Sequence, residues 1–595
     1  MSFTKGALYP CNPATTRGES TKLSSSKDKV VYTNGRAVIA ERVAQDAAVG
    51  TAYLGHVQPA TVARIAPSGY YCASADITGT VRIWDTLGDE QTLKAEYKVI
   101  GGVVKDLAWD GESKRIVAVG DGRDKFGHAF MVDTGSSTGE IIGHSKAINA
   151  VSIRAQRPFR AATAADDGSI VFHQGVPFKY DKTIKTHTKF VQDVRFSPSG
   201  DHFASVGSDF KIFVYDGKTG ETLGEFTESP HTGSIMACDW SPDSKSLVTS
   251  AADRTVKLWD VETKKAQVTW SLGSSVAHQQ VGNTWTEEDS IVSLSMSGDL
   301  NVFDKRVGEK PARILQGPQK AVTAGLAGPS STFFVGTADG HVLHHSEEGY
   351  DHVGGEAHTT LVSGLSATQD GKVYSVGLDD QLRELEGTSY TAARFSTAAQ
   401  PKAVAVGADE TVFVLETTSV EAVRSNQKVF DLPLKYTPSA IAAAGSVVAI
   451  GGEDQKVRLY TWDGKALAES ATLDGNKGTV TALAFSPDGS HLASGDSTGK
   501  IVLYDAKERK MITSRWSFHN ARVNALAWTA DGQHCASGSL DTHVYVWSVQ
   551  KPMKNIAIKN ANPGGVSTVF WLGEKELASA GADGCVRRWG VTFHA

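Results

Sequence analysis

Apolar and polar residues alternate along this chain in short runs, and many of these runs end on an aromatic residue. Four of them are "SVGSDFKIFVYD" (205–216), "TSAADRTVKLWD" (249–260), "SGSLDTHVYVWS" (537–548) and "SAGADGCVRRWG" (579–590). Alternation with a period of two predicts β-strands with one face buried. Each run begins with small residues and an Asp, which favour a turn before the strand. The pattern therefore predicts an all-β protein.

The aromatic residues that close these runs recur at a nearly constant spacing. The steps are 44 and 44 residues between Tyr215, Trp259 and Phe303, and 44, 43 and 42 residues between Tyr460, Tyr504, Trp547 and Trp589. A period in the low forties with this ending is the signature of the WD40 repeat, in which each repeat forms one four-stranded blade of a β-propeller.

Candidate third strands of such blades can be counted along the whole chain. They lie near 36–43, 80–85, 127–133, 168–173, 210–216, 255–260, 298–304, 340–345, 380–386, 410–416, 455–461, 499–505, 542–548 and 585–591. Blades near 36, 298, 380 and 410 lack the Trp-Asp ending. Because propellers usually have four to eight blades, fourteen blades predict two seven-bladed WD40 propellers, over residues 11–317 and 318–595.

The end of the chain suggests how the second ring closes. The last third strand ends near Val591 and the chain stops at Ala595, so no residues remain there for a fourth strand. The apolar stretch "TKGALYP" (4–10) is a spare strand at the other end of the sequence. We therefore expect residues 1–10 to complete the last blade of the second propeller and to tie the two rings together.

The repeated Asp is predicted to have a structural role in the turn between the second and third strands. His231, Thr249, Asp253 and Trp259 have the order and spacing of a His, Ser/Thr, Asp, Trp hydrogen-bond network, and His519, Ser537, Asp541 and Trp547 repeat it. The same Asp position is assigned to Asp167, Asp209, Asp339, Asp409, Asp454 and Asp583. Buried polar networks must be satisfied, so these residues are expected to fix blade geometry and not to catalyse.

Composition and charge exclude several classes of function. The 595 residues carry a net charge of −6, which disfavours general binding to nucleic acid or to anionic membranes. No apolar run is long enough to span a bilayer, and the N-terminus lacks the features of a signal peptide. We expect a cytoplasmic protein, most simply a monomer.

No sequence motif points to catalysis, a cofactor or a metal. The five cysteines include no CxxC pair, and nucleotide-binding, zinc-protease and nucleophile-elbow motifs are missing. The densest histidine cluster is "HVLHHSEEGYDHVGGEAH" (341–358), but His344 is expected on the opposite face of a strand from His341 and His345. We expect no enzyme, no cofactor and no metal site.

A binding surface is the remaining candidate, and "PFKYDKTIKTHTKFVQDVRF" (177–196) is where the repeat departs from its pattern. From residue 154 to 195 there are eight Lys or Arg and four Asp, a local excess of +4. Propeller topology brings the turns that hold Asp124 and Asp166 to the same face as Phe190, at the entry of the fifth blade. The candidate binding residues are Asp124, Lys125, Asp166, Phe178, Tyr180, Lys182, Lys189 and Phe190.

The aromatic and basic residues also have a structural interpretation. Phe178 could cap the core of the fourth blade, and the lysines could form a solvated strand edge that discourages pairing. Aromatic anchors surrounded by charge are, however, the usual composition of an interaction hot spot, so we favour a binding surface for the set as a whole.

Several stretches resemble the actin-interacting protein 1 family, the WD-repeat partners of ADF/cofilin. The most specific is "WDGESKRIVAVGDGRDKFGH" (109–128), and "APSGYYCASADITGTVRIWD" (66–85), "RPFRAATAADDGS" (157–169), "HTKFVQDVRFSPSG" (187–200) and "RWSFHNARVNALAW" (515–528) agree with it. The resemblance runs nearly end to end. It implies two seven-bladed propellers that bind cofilin-decorated actin filaments, promote their disassembly and restrain regrowth at barbed ends.

The resemblance also implies a site. In that family the N-terminal propeller presents an acidic and aromatic cluster, which maps onto Asp124, Asp166, Tyr180 and Phe190. Asp124 stands where relatives often carry Glu, and Tyr180 stands where a Phe occurs in relatives; both differences keep the charge or the ring.

Two other functions remain open from the sequence alone. A scaffold or adaptor in a ubiquitin-ligase or trafficking complex would need the same fold with different surface residues. A propeller hydrolase would need convergent acids and a metal in a central channel, and the sequence contains no such set.

Overall fold

The computed structural model describes residues 2–43, 49–88, 90–306, 308–407 and 409–593. The chain divides into two compact units: one is Asn12–Gln319, and the other combines the N-terminal residues up to Cys11 with the residues from Lys320 onward. Each unit contains seven four-stranded antiparallel sheets, fourteen among the described residues. The predicted fold, two seven-bladed WD40 β-propellers, is confirmed.

The first strand of the chain, β1 (Ser2–Tyr9), belongs to the C-terminal unit, and the N-terminal unit begins after it. Its blades take four consecutive strands each. The strands are β2 (Ser24–Ser26), β3 (Lys29–Asn34), β4 (Ala37–Arg42), β5 (Gly50–Tyr53); β6 (Ala60–Ile65), β7 (Tyr71–Asp76), β8 (Thr80–Asp85), β9 (Leu93–Lys98); β10 (Gly102–Trp109), β11 (Arg115–Gly122), β12 (Gly127–Met131), β13 (Ser137–Gly139); β14 (Ile148–Ile153), β15 (Arg160–Ala165), β16 (Ile170–Gln174), β17 (Lys179–Ile184); β18 (Val191–Phe196), β19 (His202–Gly207), β20 (Ile212–Asp216), β21 (Thr222–Glu225); β22 (Ile235–Trp240), β23 (Ser246–Ala251), β24 (Thr255–Asp260), β25 (Lys265–Ser271); β26 (Gln280–Trp285), β27 (Ile291–Ser295), β28 (Leu300–Phe303) and β29 (Arg313–Leu315). A short 3-10 helix, Val276–His278, precedes the seventh blade.

The C-terminal unit repeats the arrangement. Its strands are β30 (Val322–Ala327), β31 (Phe333–Thr337), β32 (Val342–Ser346), β33 (Gly349–His352); β34 (Val362–Ala367), β35 (Val373–Gly377), β36 (Gln381–Glu386), β37 (Ser389–Ser396); β38 (Pro401–Val406), β39 (Val412–Glu416), β40 (Ser419–Arg424), β41 (Gln427–Pro433); β42 (Pro438–Ala444), β43 (Val447–Gly452), β44 (Val457–Trp462), β45 (Leu467–Leu473); β46 (Val480–Phe485), β47 (His491–Asp496), β48 (Ile501–Asp505), β49 (Lys510–Trp516); β50 (Val523–Trp528), β51 (His534–Ser539), β52 (Val544–Ser548), β53 (Asn555–Ile558); and β54 (Val566–Trp571), β55 (Glu576–Gly581) and β56 (Val586–Thr592).

The last blade takes its fourth strand from the other end of the chain. Strand β1 pairs antiparallel with β56, from Ser2 opposite Thr592 to Tyr9 opposite Val586. Tyr9 is buried, and its ring lies 4.0 Å from the His345 ring, measured between centroids. The strand therefore adds both backbone hydrogen bonds and an apolar anchor to the last blade.

Thirteen of the fourteen predicted third strands are confirmed, and the one near 410–416 is wrong. In that blade β39 is the second strand and β40, which has no closing aromatic residue, is the third. Asp409 therefore lies between the first and second strands, where its Oδ2 accepts a hydrogen bond from Trp462 Nε1 at 3.0 Å. The alternating run was correctly predicted as a strand, but without the aromatic ending its place in the blade was misassigned.

The predicted His, Ser/Thr, Asp, Trp networks are present. His231 Nδ1 lies 2.9 Å from Asp253 Oδ2, and its Nε2 lies 2.8 Å from Thr249 Oγ1, which also accepts a hydrogen bond from Trp259 Nε1 at 2.8 Å. The set His519, Ser537, Asp541 and Trp547 repeats this arrangement. Each network joins a blade's entry loop to its middle strands, which explains why these buried polar groups are tolerated.

Candidate functional site: a polar cavity of the N-terminal propeller

Four consecutive blades of the N-terminal unit project one polar residue each into a shared cavity of about 570 Å³. The residues are Thr61, Lys105, Asn149 and Gln192, and each lies at a break in the pairing register between the first and second strands. A β-bulge leaves one residue unpaired and redirects its side chain. Its repetition around the ring builds the polar wall of the cavity.

Hydrogen bonds connect this wall from blade to blade. Lys105 Nζ donates to Asn149 Oδ1 at 2.9 Å, while Asn149 Nδ2 donates to Asp166 Oδ1 at 2.7 Å and to the Val191 carbonyl at 3.1 Å. Gln192 Nε2 donates to Ser208 Oγ at 2.9 Å. The carboxylate of Asp166 is therefore held in one position at the cavity wall.

A chain of buried charges supports the interior of the ring. Lys22 Nζ lies 2.9 Å from Asp193 Oδ1, Arg195 lies 3.0 Å from both Asp193 and Asp106, and Arg64 lies 2.8 Å from Asp106. Burial alone would raise the pKa of Asp106, but Arg195, Arg64 and Lys22 hold it well below its ordinary range. All of these charges are paired, as buried charges must be.

Lys22 also fixes a segment that forms another part of the cavity wall. Between Ala14 and Thr21 the chain turns at the cavity, with the Glu19 amide donating to the Thr16 carbonyl at 3.2 Å and Gly18 at φ +85°. Thr15 Oγ1 donates to the Met296 carbonyl at 2.7 Å. The segment is thus anchored on both sides of its turn.

Asp166 and Phe190 meet at this cavity. Both line it, and the Phe190 side chain is 48% exposed, so its ring is available to a partner. Lys146 Nζ lies 6.0 Å from the Phe190 ring centroid. An aromatic ring held at the rim beside a fixed carboxylate can bind apolar and cationic groups together.

Asp124 lies beside a neighbouring cavity of about 510 Å³, which shares Val103 and Asp121 with the first. Its Oδ1 accepts a hydrogen bond from the Gly101 amide at 3.1 Å. Hydrogen bonds from its own amide and from that of Gly101 hold the pKa of Asp124 below its usual range. Next to it, Lys125 Nζ lies 3.2 Å from His128 Nδ1.

Tyr180 and Lys182 lie on β17, the fourth strand of their blade, and line neither cavity. Tyr180 is 45% exposed, and its hydroxyl lies 3.1 Å from Thr183 Oγ1. A Cβ at residue 143, which is Gly with φ +109°, would stand 2.9 Å from Tyr180 Cδ2. The Tyr180 ring therefore packs directly on the backbone of Gly143, where a larger residue would not fit.

Phe178 is not a surface residue, and its assignment to the binding surface was wrong. Its side chain is fully buried in a core that includes Ile141 and Ile148. Its backbone bonds to the preceding blade, with its amide donating to the Thr138 carbonyl at 2.8 Å and its carbonyl accepting from Glu140 at 3.0 Å. Phe178 fills the space between the third and fourth blades.

The comparisons with known proteins agree with this architecture. The WD domain, G-beta repeat family matches residues 49–85, 178–216 and 220–260, and the Vps8 beta-propeller family matches residues 436–560. Actin-interacting protein 1 of Drosophila melanogaster is 40% identical over 98% of this chain and 97% of its own length. The 66 kDa stress protein of Physarum polycephalum is 40% identical over 99% and 100%, and WD repeat-containing protein 1 of Xenopus tropicalis is 39% identical over 95% and 95%.

This chain belongs to the actin-interacting protein 1 family of WD-repeat proteins. Membership extends over both propellers, because the similarity covers nearly the full length of the chain and of its relatives. Among the described residues, no helix has the length and apolar character needed to cross a bilayer.

The sequence analysis missed two groups: the exposed ring of Phe210 and the polar wall of the cavity. Phe210 is 38% exposed, and its ring centroid lies 5.5 Å from Nζ of Lys189, an exposed residue of the predicted basic run. Phe210 occupies the turn between β19 and β20, the same kind of turn that holds Asp124 and Asp166. The signal for the cavity wall was also in the sequence: Thr61, Lys105, Asn149 and Gln192 are polar residues spaced by 44, 44 and 43.

Two histidines of the cluster in the C-terminal unit, His345 and His358, have structural roles. His345 is buried and stacks on Phe333 with ring centroids 4.5 Å apart, and burial lowers the pKa of His345 to about 3. His358 Nδ1 lies 2.8 Å from Asp379 Oδ1 in a blade network. In the part of the chain that the structure describes, no three His, Cys, Asp or Glu side chains come together as a metal site would require.

Proposed function

We propose that this protein binds actin filaments that carry ADF/cofilin, promotes their disassembly and restrains regrowth at barbed ends. In this proposal the protein acts as a monomer in the cytoplasmic actin cytoskeleton. It works by binding alone, without an enzymatic step or a cofactor, and does not contact nucleic acid or membrane. The name of the Drosophila melanogaster relative, actin-interacting protein 1, supports the actin part of the proposal.

One observation carries the choice of site. Asp166 and Phe190 line the same cavity, with the carboxylate held by Asn149 and the ring half exposed. A fixed charge and an available ring are the components of an interface hot spot, because neither side chain loses much freedom on binding. Asp124 extends the same surface through the adjoining cavity.

Exposed lysines beside this surface supply long-range attraction. Lys146 and Lys189 lie next to Phe190 and Phe210, and Lys179 and Lys185 are also exposed. Positive charge accelerates association with an acidic filament. The contacts that Phe190 buries in the complex determine how slowly the complex dissociates. Raised salt should therefore mainly slow association.

The effect on filaments follows from linkage and needs no catalysis. If the protein binds cofilin-occupied filament more tightly than bare filament, cofilin must bind the complexed filament more tightly by the same factor. Increased cofilin occupancy would then favour disassembly. If both propellers engage the filament, the second contact adds avidity.

The test uses Phe190→Ala with co-sedimentation on actin filaments, with and without cofilin. We expect the variant to lose cofilin-dependent binding and enhanced disassembly, since truncating a hot-spot ring costs roughly 2 kcal/mol or more. Tyr70→Ala is the matched control, because Tyr70 is 57% exposed in the same unit but lies between the first and second strands of its blade and lines neither cavity, so it should leave binding unchanged. Wild-type disassembly by Phe190→Ala would remove this surface from the proposal.

An adaptor role in a ubiquitin-ligase or trafficking complex is the alternative. The match of residues 436–560 to the Vps8 beta-propeller is compatible with any propeller scaffold. Failure of the wild-type protein to co-sediment with filaments, whether or not cofilin is present, would favour this alternative.

A further inference from the structure

The cavity lined by Thr61, Lys105, Asn149 and Gln192 has an excess of negative charge. Glu19, Asp121 and Asp166 line it together with one cation, Lys105, and a second cation, Lys146, lies at the rim with its Nζ 6.0 Å from the Phe190 ring centroid. The Lys105 ammonium is directed at Asn149 Oδ1, 2.9 Å away. The wall therefore presents three carboxylates against one lysine that already has a hydrogen-bond partner.

None of these carboxylates has a cation of its own. No described Lys, Arg or His forms an ion pair with Glu19, Asp121 or Asp166, and Asp166 accepts its hydrogen bond from the neutral amide of Asn149. Deeper in the same ring, by contrast, Asp106 and Asp193 are each paired with Arg195. Unpaired carboxylates on a concave wall concentrate a negative potential there, which attracts a cationic group.

The geometry selects the kind of cation. A metal ion would need three acidic or histidine side chains close together, and the described residues contain no such group. Carboxylates that come from three separate segments of the ring instead suit an extended organic cation. Phe190 adds an exposed ring at the rim, and a guanidinium group binds both an aromatic face and carboxylates.

We propose that this cavity receives an arginine side chain from the filament-bound partner. Asp121 and Asp166 would accept its hydrogen bonds, Glu19 would add a third carboxylate from the segment at residues 14–21, and Phe190 would cover its aliphatic stem. The inference deepens the proposed function and rests on it for the identity of the partner. Its chemistry, a cavity for a guanidinium group, can be measured on the protein alone.

The first experiment uses small probes and the full-length protein. N-acetyl-arginine methylamide should bind with a dissociation constant on the order of millimolar, measured by ligand-observed NMR, and the uncharged isostere N-acetyl-citrulline methylamide should not bind. Asp121→Asn should weaken arginine binding about tenfold. Asp201→Asn, which removes an exposed carboxylate from a first-to-second-strand turn, is the matched control and should change nothing.

The second experiment measures affinity for cofilin-decorated filaments. Asp121→Asn and Glu19→Gln should each weaken binding about tenfold and reduce its salt dependence, with unfolding temperatures unchanged because neither side chain is buried. Equal binding of the arginine and citrulline probes, or no effect of Asp121→Asn on either measurement, would overturn the inference. A wild-type protein that binds the arginine probe but not filaments would instead overturn the proposed function.

Discussion

Asn149 joins the cation and the carboxylate of the cavity wall: its Oδ1 accepts a hydrogen bond from Lys105, and its Nδ2 donates to Asp166 at 2.7 Å. Asn149→Ala removes both contacts and the bond to the Val191 carbonyl. We expect a loss of roughly 1–3 kcal/mol in the free energy of unfolding, because the buried carbonyl loses its donor. We also expect weaker filament binding, since Asp166 is no longer held.

Urea denaturation and co-sedimentation measure the two effects. Asn520→Ala is the control for stability, because Asn520 is exposed and only its backbone amide donates a hydrogen bond. If Asn149→Ala is as stable as the wild type, the hydrogen-bonded wall does not contribute as described.

Phe178 and Phe190 are twelve residues apart in one stretch of sequence, and their variants should fail in opposite ways. Phe178 is fully buried, so Phe178→Ala should cost roughly 3–5 kcal/mol of stability through the cavity it creates. Phe190 is 48% exposed, so the free energy of unfolding of Phe190→Ala should lie within about 1 kcal/mol of the wild-type value. The same variant should no longer bind cofilin-decorated filaments. Thermal unfolding followed by circular dichroism separates the two. A stable Phe178→Ala variant would contradict the buried position.

The difference between these two residues marks the limit of the sequence prediction. The number and order of blades followed from the period of the closing aromatics, because a repeat imposes one geometry on each blade. Burial of a single ring in a connection depends on the neighbouring blade, and "PFKYDK" alone left both a core and a surface position open for Phe178, which packs with Ile141 and Ile148. The prediction therefore placed the stretch correctly but not each ring within it.

The cavity wall was missed for a related reason. Lys105, Asn149 and Gln192 each follow the first residues of an inner strand, where alternation alone predicts an ordinary ladder position. The register breaks there, and the side chains line the cavity. Where a closing aromatic is absent, as in β40, even the order of strands could not be assigned from the alternation.

Strand β1 should stabilise the C-terminal propeller specifically. Deleting residues 2–9 leaves β56 as an unpaired edge and removes the Tyr9 ring from beside His345 and Phe333. We expect the unfolding temperature of the C-terminal unit to fall by roughly 5–10 °C, measured by differential scanning calorimetry. The transition of the N-terminal unit is the internal reference, and Lys5→Ala, at an exposed position of β1, should have little effect. An unchanged C-terminal transition would reject this role.

Glu41 makes the stability of the N-terminal propeller depend on pH near neutrality. Its side chain is buried, and Oε2 accepts a hydrogen bond from the Tyr32 hydroxyl at 2.8 Å. Burial raises the pKa of Glu41 from 4.5 to about 7, although Tyr32 and Arg313 act to lower it. Between pH 4.5 and about pH 7, the folded protein therefore retains on Glu41 a proton that the unfolded chain releases.

Stability should fall as the pH rises through this window, because above the unfolded pKa the folded state must either hold the proton or bury a charge. Each unit of pKa difference corresponds to about 1.4 kcal/mol, and part of the loss has already occurred at pH 5, so the wild type should lose roughly 2.5 kcal/mol between pH 5 and pH 8 relative to Glu41→Gln, whose amide oxygen can still accept from Tyr32. Urea unfolding of both proteins at the two pH values measures the difference. Glu221→Gln, at an exposed position, should instead follow the wild type. Parallel pH dependence of the wild type and Glu41→Gln would mean that Glu41 does not hold the proton.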